Sequence, residues 1–290
     1  MKLVIKFNLV FIIVFSLGFA AAGFVTYDLL QRNAKEEILQ NARLIMESAL
    51  ASRAYTASQV APLLQTQMKY EFLPQTVPAY GATEQFNTLH TKFPDFAYKE
   101  ATLNPTNPRD RASEWEADVV NRFRQYADQK EIVGERDTAN GRSLFMARPL
   151  KITNPACLVC HSTVDVAPKT MLDKYGTANG FGWQLNEIIG AQVVSVPMTL
   201  PIKRAEQAFQ TFMLSLAGIF VLIFVVLNLM LMFIVVNPVR KLARVADEVS
   251  LGKIETAEFD IAGKDEIAVL AQSFNRMKKS LAQALKMLDE

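Results

Sequence analysis

Two apolar runs free of charged residues dominate the hydropathy pattern: Phe7 to Tyr27, and Ala208 to Val239. A helix of about 20 apolar residues crosses the hydrocarbon core of a bilayer, so each run predicts a membrane span. The second is long enough to cross with tilt, and its span is drawn at 208–236. Lys2 and Lys6 ahead of the first run, with Ala20-Ala21-Ala22 inside it, also suit a cleaved signal peptide. Its apolar core is longer than a usual signal core and runs directly into helical sequence, which favours a retained anchor at 7–27. Lys2 and Lys6 precede the first span, while Arg240, Lys241 and Arg244 follow the second. Short basic flanks stay on the cytoplasmic side, so both termini (1–6 and 237–290) read as cytoplasmic and 28–207 as external.

The external segment reads as one mixed α+β domain, of a size that buries a single ordinary core. From Asp28 to about Tyr70 the texture is helical, with Leu30, Ile38, Ala42, Ile45 and Ala49 at three- and four-residue steps and no Gly or Pro before Val60. A stripe that narrow packs on its own domain or on the same helix of a second copy. Pro74, Pro78, Gly81, Pro94, Pro105 and Pro108 break any long helix between Phe72 and Pro108. A helix is expected from Ala112 to about Lys130, on the spacing of Trp115, Val119, Phe123 and Tyr126. Glu131–Val133 and Ser143–Arg148 read as strands around a turn at Asn140-Gly141. A loop containing Gly176, Gly180 and Gly182 precedes a last strand, Ile188 to Val196.

Beyond the second span, Asn237-Pro238 opens a helix whose stripe is Leu242, Val245, Val249 and Leu251. Gly252 starts a connector, and Asp265-Glu266 opens a second helix with Leu270, Phe274, Met277 and Leu281. The bland alternative is an isolated pair of juxtamembrane amphipathic helices. Two short amphipathic helices and a connector directly after a span resemble a HAMP domain. That resemblance implies a parallel four-helix bundle built by a homodimer.

The chain of 290 residues is 50% hydrophobic and 21% charged, with formal net charge +2. Near neutrality, with basic residues clustered only beside the membrane, excludes a nucleic-acid binder. The chemistry is concentrated in Cys157-Leu158-Val159-Cys160-His161, which uses both cysteines and one of the 2 histidines in the chain. CxxCH is the spacing of covalent c-type haem attachment. The two thiols add across the haem vinyl groups, and the adjacent histidine ligates the iron through a neutral imidazole. A zinc site would need every Cys and His in the chain, including distant His90. A thioredoxin-like pair requires a strand-to-helix setting that Asn154-Pro155 does not offer. A structural disulfide or two buried thiols remain as the plain alternative. The expected cofactor is one covalent haem c per chain, with His161 as proximal iron ligand.

Four segments resemble the extracytoplasmic PAS-like c-haem sensor domains of bacteria, of the Tll-type family: Tyr98 to Glu116, Met146 to Leu150, the CLVCH motif, and Gly180 to Met198. The likeness covers most of residues 70–200, the haem motif being its most specific part. It implies a small antiparallel sheet carrying the haem, long flanking helices, dimers, and a periplasmic position at the bacterial inner membrane. Some members place a cysteine as sixth iron ligand, which this chain, with 2 Cys in all, does not have to spare. The weak candidates for that position are His90, Met146, Met198 and Tyr80, or the position is open to water or a small gas. Arg148 is the candidate partner of a haem propionate, since its fork matches a carboxylate, with a surface arginine as the alternative. Phe181 and Trp183 are the expected apolar cover of a haem edge.

The order of span, haem domain, span and HAMP predicts a membrane sensor rather than an enzyme. A redox change or a diatomic gas is the expected stimulus. The expected partners are the membrane, a second copy of the chain and a separate cytoplasmic signalling protein. The alternative is a membrane-anchored c-type cytochrome for electron transfer.

Overall fold

The computed structural model describes residues 3–253 and 264–289. Its helices, in chain order, are α1 (Leu3–Tyr55), α2 (Ala61–Leu63), α3 (Pro78–His90), α4 (Glu114–Gln125), α5 (Leu158–His161), α6 (Lys169–Tyr175), α7 (Thr199–Met230), α8 (Asn237–Ser250) and α9 (Glu266–Asp289). The strands are β1 (Ala97–Thr102), β2 (Ile132–Thr138), β3 (Gly141–Lys151) and β4 (Ile188–Pro197). The chain divides into two units, Tyr27–Ala208 and the pair Met1–Thr26 with Phe209–Glu290.

The Tyr27–Ala208 unit is a four-stranded sheet in the order β1-β4-β3-β2, antiparallel throughout, with helices on both faces. Alternation along the strands sorts the side chains. Leu144 and Met146 of β3 and Val194 and Val196 of β4 meet Ile38, Ala42, Met46 and Ala49 of α1 and Phe86 of α3. Ala147, Ala191, Val193 and Ala101 point the other way, onto Val119, Val120 and Phe123 of α4. Burying a side chain such as Phe123 contributes about 1.5–3 kcal/mol. The buried stripe of α1 is Ala34, Ile38, Ala42, Met46 and Ala49, so the expected Leu30 and Ile45 lie on its half-buried flanks. Helix α4 starts later than expected because Ser113 and Glu116 form a capping box, the Ser113 amide donating to Glu116 Oε2 at 2.7 Å.

Strand β1 and helix α6 were not expected from the hydropathy pattern. The end of β3 carries a register shift between Leu150 and Lys151. Such an irregularity turns a strand out of its ladder, and here it releases the chain toward Cys157.

In the other unit, the first part of α1 packs antiparallel to α7. Phe11 meets Phe224 at 5.6 Å, Phe15 meets Phe220 edge-on at 4.5 Å, and Gly23 faces Met213. The most apolar windows of the two helices have mean hydropathy 2.4 and 3.2, and 94% of each lies unburied. Such surface suits lipid, where a helix satisfies its own backbone. Two π-helical stretches interrupt the long helices, Thr56–Val60 and Leu231–Val236. Each lies just ahead of a proline, Pro62 or Pro238. A proline ring clashes with the carbonyl four residues back, and the wider π turn relieves that clash without ending the helix.

Leu242 and Val249 of α8 are buried, whereas Leu251 is exposed. Among the described residues of α9, the buried apolar ones are Ala268 and Ala271, while Leu270, Met277 and Leu281 face outward in the single chain. The connector from Gly252 runs into positions 254–263, outside the described residues.

Candidate functional site

The motif is built by local rules. The Asn154 side chain accepts the Ala156 amide at 2.9 Å, and Pro155 opens a 3₁₀ turn that runs into α5. This fixes Cys157, Cys160 and His161 on one and a half turns of helix. Both thiols are free and half-buried. Cys160 packs against the cluster of Phe72, Ala167 and Met171, which Met68, Tyr175 and Phe181 also join. Burial, and secondarily Cys157, pushes the Cys160 thiol up, which favours its neutral S–H form.

A second loop holds the motif. The Gly182 amide donates to Ser162 O at 2.8 Å and the Trp183 amide to His161 O at 3.1 Å. Asn104 ties the same loop to the end of β1, accepting from the Gly180 amide at 3.2 Å. Gly180 has φ +85°, and a Cβ there would lie 2.9 Å from Thr106 Cα. Only glycine combines that conformation with that approach. The result is a carbonyl aimed at the histidine: His161 Nδ1 donates to Gly180 O at 2.8 Å. Trp183 stacks on the imidazole, with ring centroids 3.9 Å apart and planes 17° apart. Burial lowers the proton affinity of the imidazole, against the pull of the Gly180 carbonyl.

These residues fit the haem that the motif implies. A hydrogen bond from Nδ1 to a carbonyl fixes the tautomer and leaves Nε2 as a lone-pair donor, the usual outer-shell arrangement of a metal-bound histidine. Two unpaired thiols lie in the same turn, and the surroundings are aromatic and apolar. Among the described residues no group of three or more His, Cys, Asp or Glu gathers as a metal ion would require, so Cys157, Cys160, His161 and His90 do not converge as zinc ligands.

The other candidates scatter. His90 is exposed at the end of α3, its Nδ1 2.9 Å from Phe96 O, just ahead of β1. The His161 site contacts the chain past the far end of β1, roughly 20 Å away at about 3.3 Å per residue. Met146 and Met198 are buried in the core against α1. Tyr80 is half-buried beneath the Arg109 guanidinium, 4.8 Å from its ring centroid. Arg148 is engaged by two carboxylates instead of lying open: Glu47 Oε1 at 2.7 Å and Glu131 Oε2 at 3.1 Å. Phe181 joins the Cys160 cluster.

Sequence reading missed three features here. Met68 lies in the Cys160 cluster with its sulfur accepting from the Leu73 amide at 3.1 Å. Arg53 of α1 grips both carboxylate oxygens of Glu100. Asp110, beside Arg109 at 3.5 Å, is pushed up to about 6 because burial outweighs the attraction of Arg109, with Glu100 adding to the rise and Lys99 opposing it. No periodicity marks any of these: burial in the folded domain sets the first and third, and the partner of Arg53 comes from a distant segment.

The Asp110 shift predicts a pH dependence. A folded-state value above the unfolded one gives stability that is full below pH about 4 and lost as the pH rises through about 6. Asp110→Asn is therefore expected to make the domain more stable than the parent at pH 7, with the gap closing toward pH 4. Both tryptophans, Trp115 and Trp183, lie in the Tyr27–Ala208 unit, so their fluorescence during denaturation reports this domain alone.

A family profile described as Tll0287-like matches residues 31–197, more than half of the chain. The chain belongs to the Tll0287-like family. A HAMP domain matches residues 230–283. Among solved structures, the crystal structure of the cyanobacterial heme-protein Tll0287 is similar at 15% identity and TM-score 0.44, over 56% of this chain and 95% of its own. The comparison with curated proteins finds no match. The Tll0287-like match contains β1 to β4 and the whole CLVCH turn, and two apolar helices with a HAMP domain fit an inner-membrane protein.

Proposed function

We propose that the chain is a membrane-bound haem c sensor that converts a redox or diatomic-gas signal outside the inner membrane into a HAMP rearrangement in the cytoplasm. The observation that carries the reading is the hydrogen bond from His161 Nδ1 to Gly180 O, which leaves Nε2 as a ligand beside two unpaired thiols. Cys157 and Cys160 hold the group by thioether bonds, and His161 sets its proximal side. A bound haem supplies reversible one-electron chemistry and an iron coordination position. Trp183 fixes the ring plane of His161, and the Gly180 carbonyl increases its basicity. The basic flanks Lys2, Lys6, Arg240, Lys241 and Arg244 support cytoplasmic termini and a periplasmic PAS-like domain. The outward Leu270, Met277 and Leu281 of α9 supply the apolar seam that a second copy would cover in a parallel four-helix bundle. In this reading the haem domain and the HAMP unit signal rather than catalyse.

A stimulus shifts such a protein only through a difference in its affinity for two states. Spin labels at position 245 of the full chain in a lipid bilayer are expected to report different inter-copy distances in oxidised, reduced and CO-treated protein. Identical distances in all three overturn the signalling reading and favour an anchored electron-transfer cytochrome.

A further inference from the structure

Resting on the reading of CLVCH as a haem site, we infer that Thr106 is a positioning residue for the proximal histidine. Its hydroxyl is a second acceptor for the His161 Nδ1–H, and through it the connection between β1 and α4 tunes the iron. Thr106 Oγ1 lies 3.4 Å from His161 Nδ1, and Gly180 O lies 2.8 Å from the same nitrogen. A carbonyl can only accept, so Nδ1 carries the proton, and the hydroxyl oxygen can only accept from it as well. The carbonyl is the main partner, and the hydroxyl is the longer arm of a three-centre bond.

Several contacts fix Thr106 in place. The Ala112 amide donates to Thr102 O at 2.9 Å and closes the ends of the connection 103–111. Pro105 and Pro108 lock two of its backbone angles on either side of Thr106-Asn107. Its side chains then fasten it to the loop that carries Gly180. Asn104 accepts from the Gly180 amide at 3.2 Å and donates to Phe181 O at 3.4 Å, while Arg111 donates to Asn179 Oδ1 at 3.3 Å. A Cβ on Gly180 would meet Thr106 Cα and Cβ at 2.9 Å each. Thr106 thus fills the room that a side chain at position 180 would take. A threonine serving shape alone needs no contact with the imidazole, and this one has one.

An acceptor on the outer nitrogen makes an imidazole a stronger donor to its metal. A stronger donor favours ferric over ferrous iron, so each acceptor on Nδ1 lowers the midpoint potential. Loss of the hydroxyl must then raise it.

A spectroelectrochemical titration of the full chain in detergent, preceded by a haem stain of the denatured protein, tests this. Thr106→Val keeps the shape without the hydroxyl. It is expected to raise the midpoint, increasing the ratio of reduced to oxidised haem at a fixed potential severalfold, where tenfold would be about 59 mV. Thr106→Ser keeps the hydroxyl and is expected to stay near the parent, as is Thr88→Val on the exposed side of α3. The ferric paramagnetic resonance spectrum, which responds to the donor strength of the axial imidazole, is expected to change in Thr106→Val and to match the parent in Thr106→Ser. Should Thr106→Val not fold, Thr106→Ala carries the same expectations. Haem-loaded valine and serine variants that both keep the parent midpoint, or that move together, overturn the inference and leave the haem reading intact. So does a midpoint lowered by valine. A wild-type chain with no stain overturns the haem reading itself, and this inference with it.

Discussion

The double variant Cys157→Ser, Cys160→Ser is expected to run as a colourless polypeptide of 32.4 kDa after denaturation, while the parent chain stays coloured and heavier by one haem. Thioether bonds survive unfolding, whereas a histidine–iron bond does not, so covalent occupancy should fall from one per chain to none. The fold itself should tolerate the change. Both thiols are only half-buried, and neither belongs to the clusters that join the sheet to α1 and α4. His161→Ala separates the roles: the haem should remain attached, with the proximal ligand lost from its absorption spectrum. Colour that persists in the double variant after denaturation would refute attachment at these two residues.

How much of this was legible in the sequence depends on which signals are local. The spans, the β2–β3 hairpin, β4 and the HAMP helices announce themselves through unbroken apolar runs, turn residues and helical spacing. Strand β1 does not, because its sequence AYKEAT places Glu100 and Thr102 at buried positions, with Lys99 between Tyr98 and Glu100. A buried glutamate is acceptable only because Arg53, from a helix far away in sequence, neutralises it. Helix α6 was hidden for a different reason. Its seven residues are too few for a period, and it is stopped by Gly176 in a segment read as glycine-rich loop. On α9 the expected stripe is apolar as read, but among the described residues nothing covers Leu270, Met277 and Leu281.

The site divides the same way. Both thiols and His161 follow from five consecutive residues. The group that orients His161 is a backbone carbonyl, which carries no side-chain signature at all, and Gly180 is marked only by its lack of a Cβ. Arg148 attracted attention by its nearness in sequence to the motif. Arg53, 47 positions before the Glu100 carboxylate that it grips, is revealed only by tertiary contact.

Glu100→Ala is expected to destabilise the Tyr27–Ala208 unit by about 3 kcal/mol, at the low end for breaking a buried ion pair because Arg53 keeps some access to water. The loss has two parts. The Arg53 guanidinium is left charged and partly buried without its carboxylate, and the Tyr98 hydroxyl loses its acceptor while still receiving Gln192. By contrast Glu47→Ala, which removes one exposed partner of Arg148, should cost no more than about 1 kcal/mol. If burial of an unpaired charge is the cause, removing the second charge should reverse most of the effect. Arg53→Met combined with Glu100→Leu is thus expected to be far more stable than the sum of the single changes. Urea denaturation followed by the fluorescence of Trp115 and Trp183 measures the parent, Glu100→Ala, Glu47→Ala, the single changes Arg53→Met and Glu100→Leu, and the double variant on one scale. A Glu100→Ala loss below that of Glu47→Ala, or strict additivity in the double variant, would show that the pair contributes through shape and not through charge.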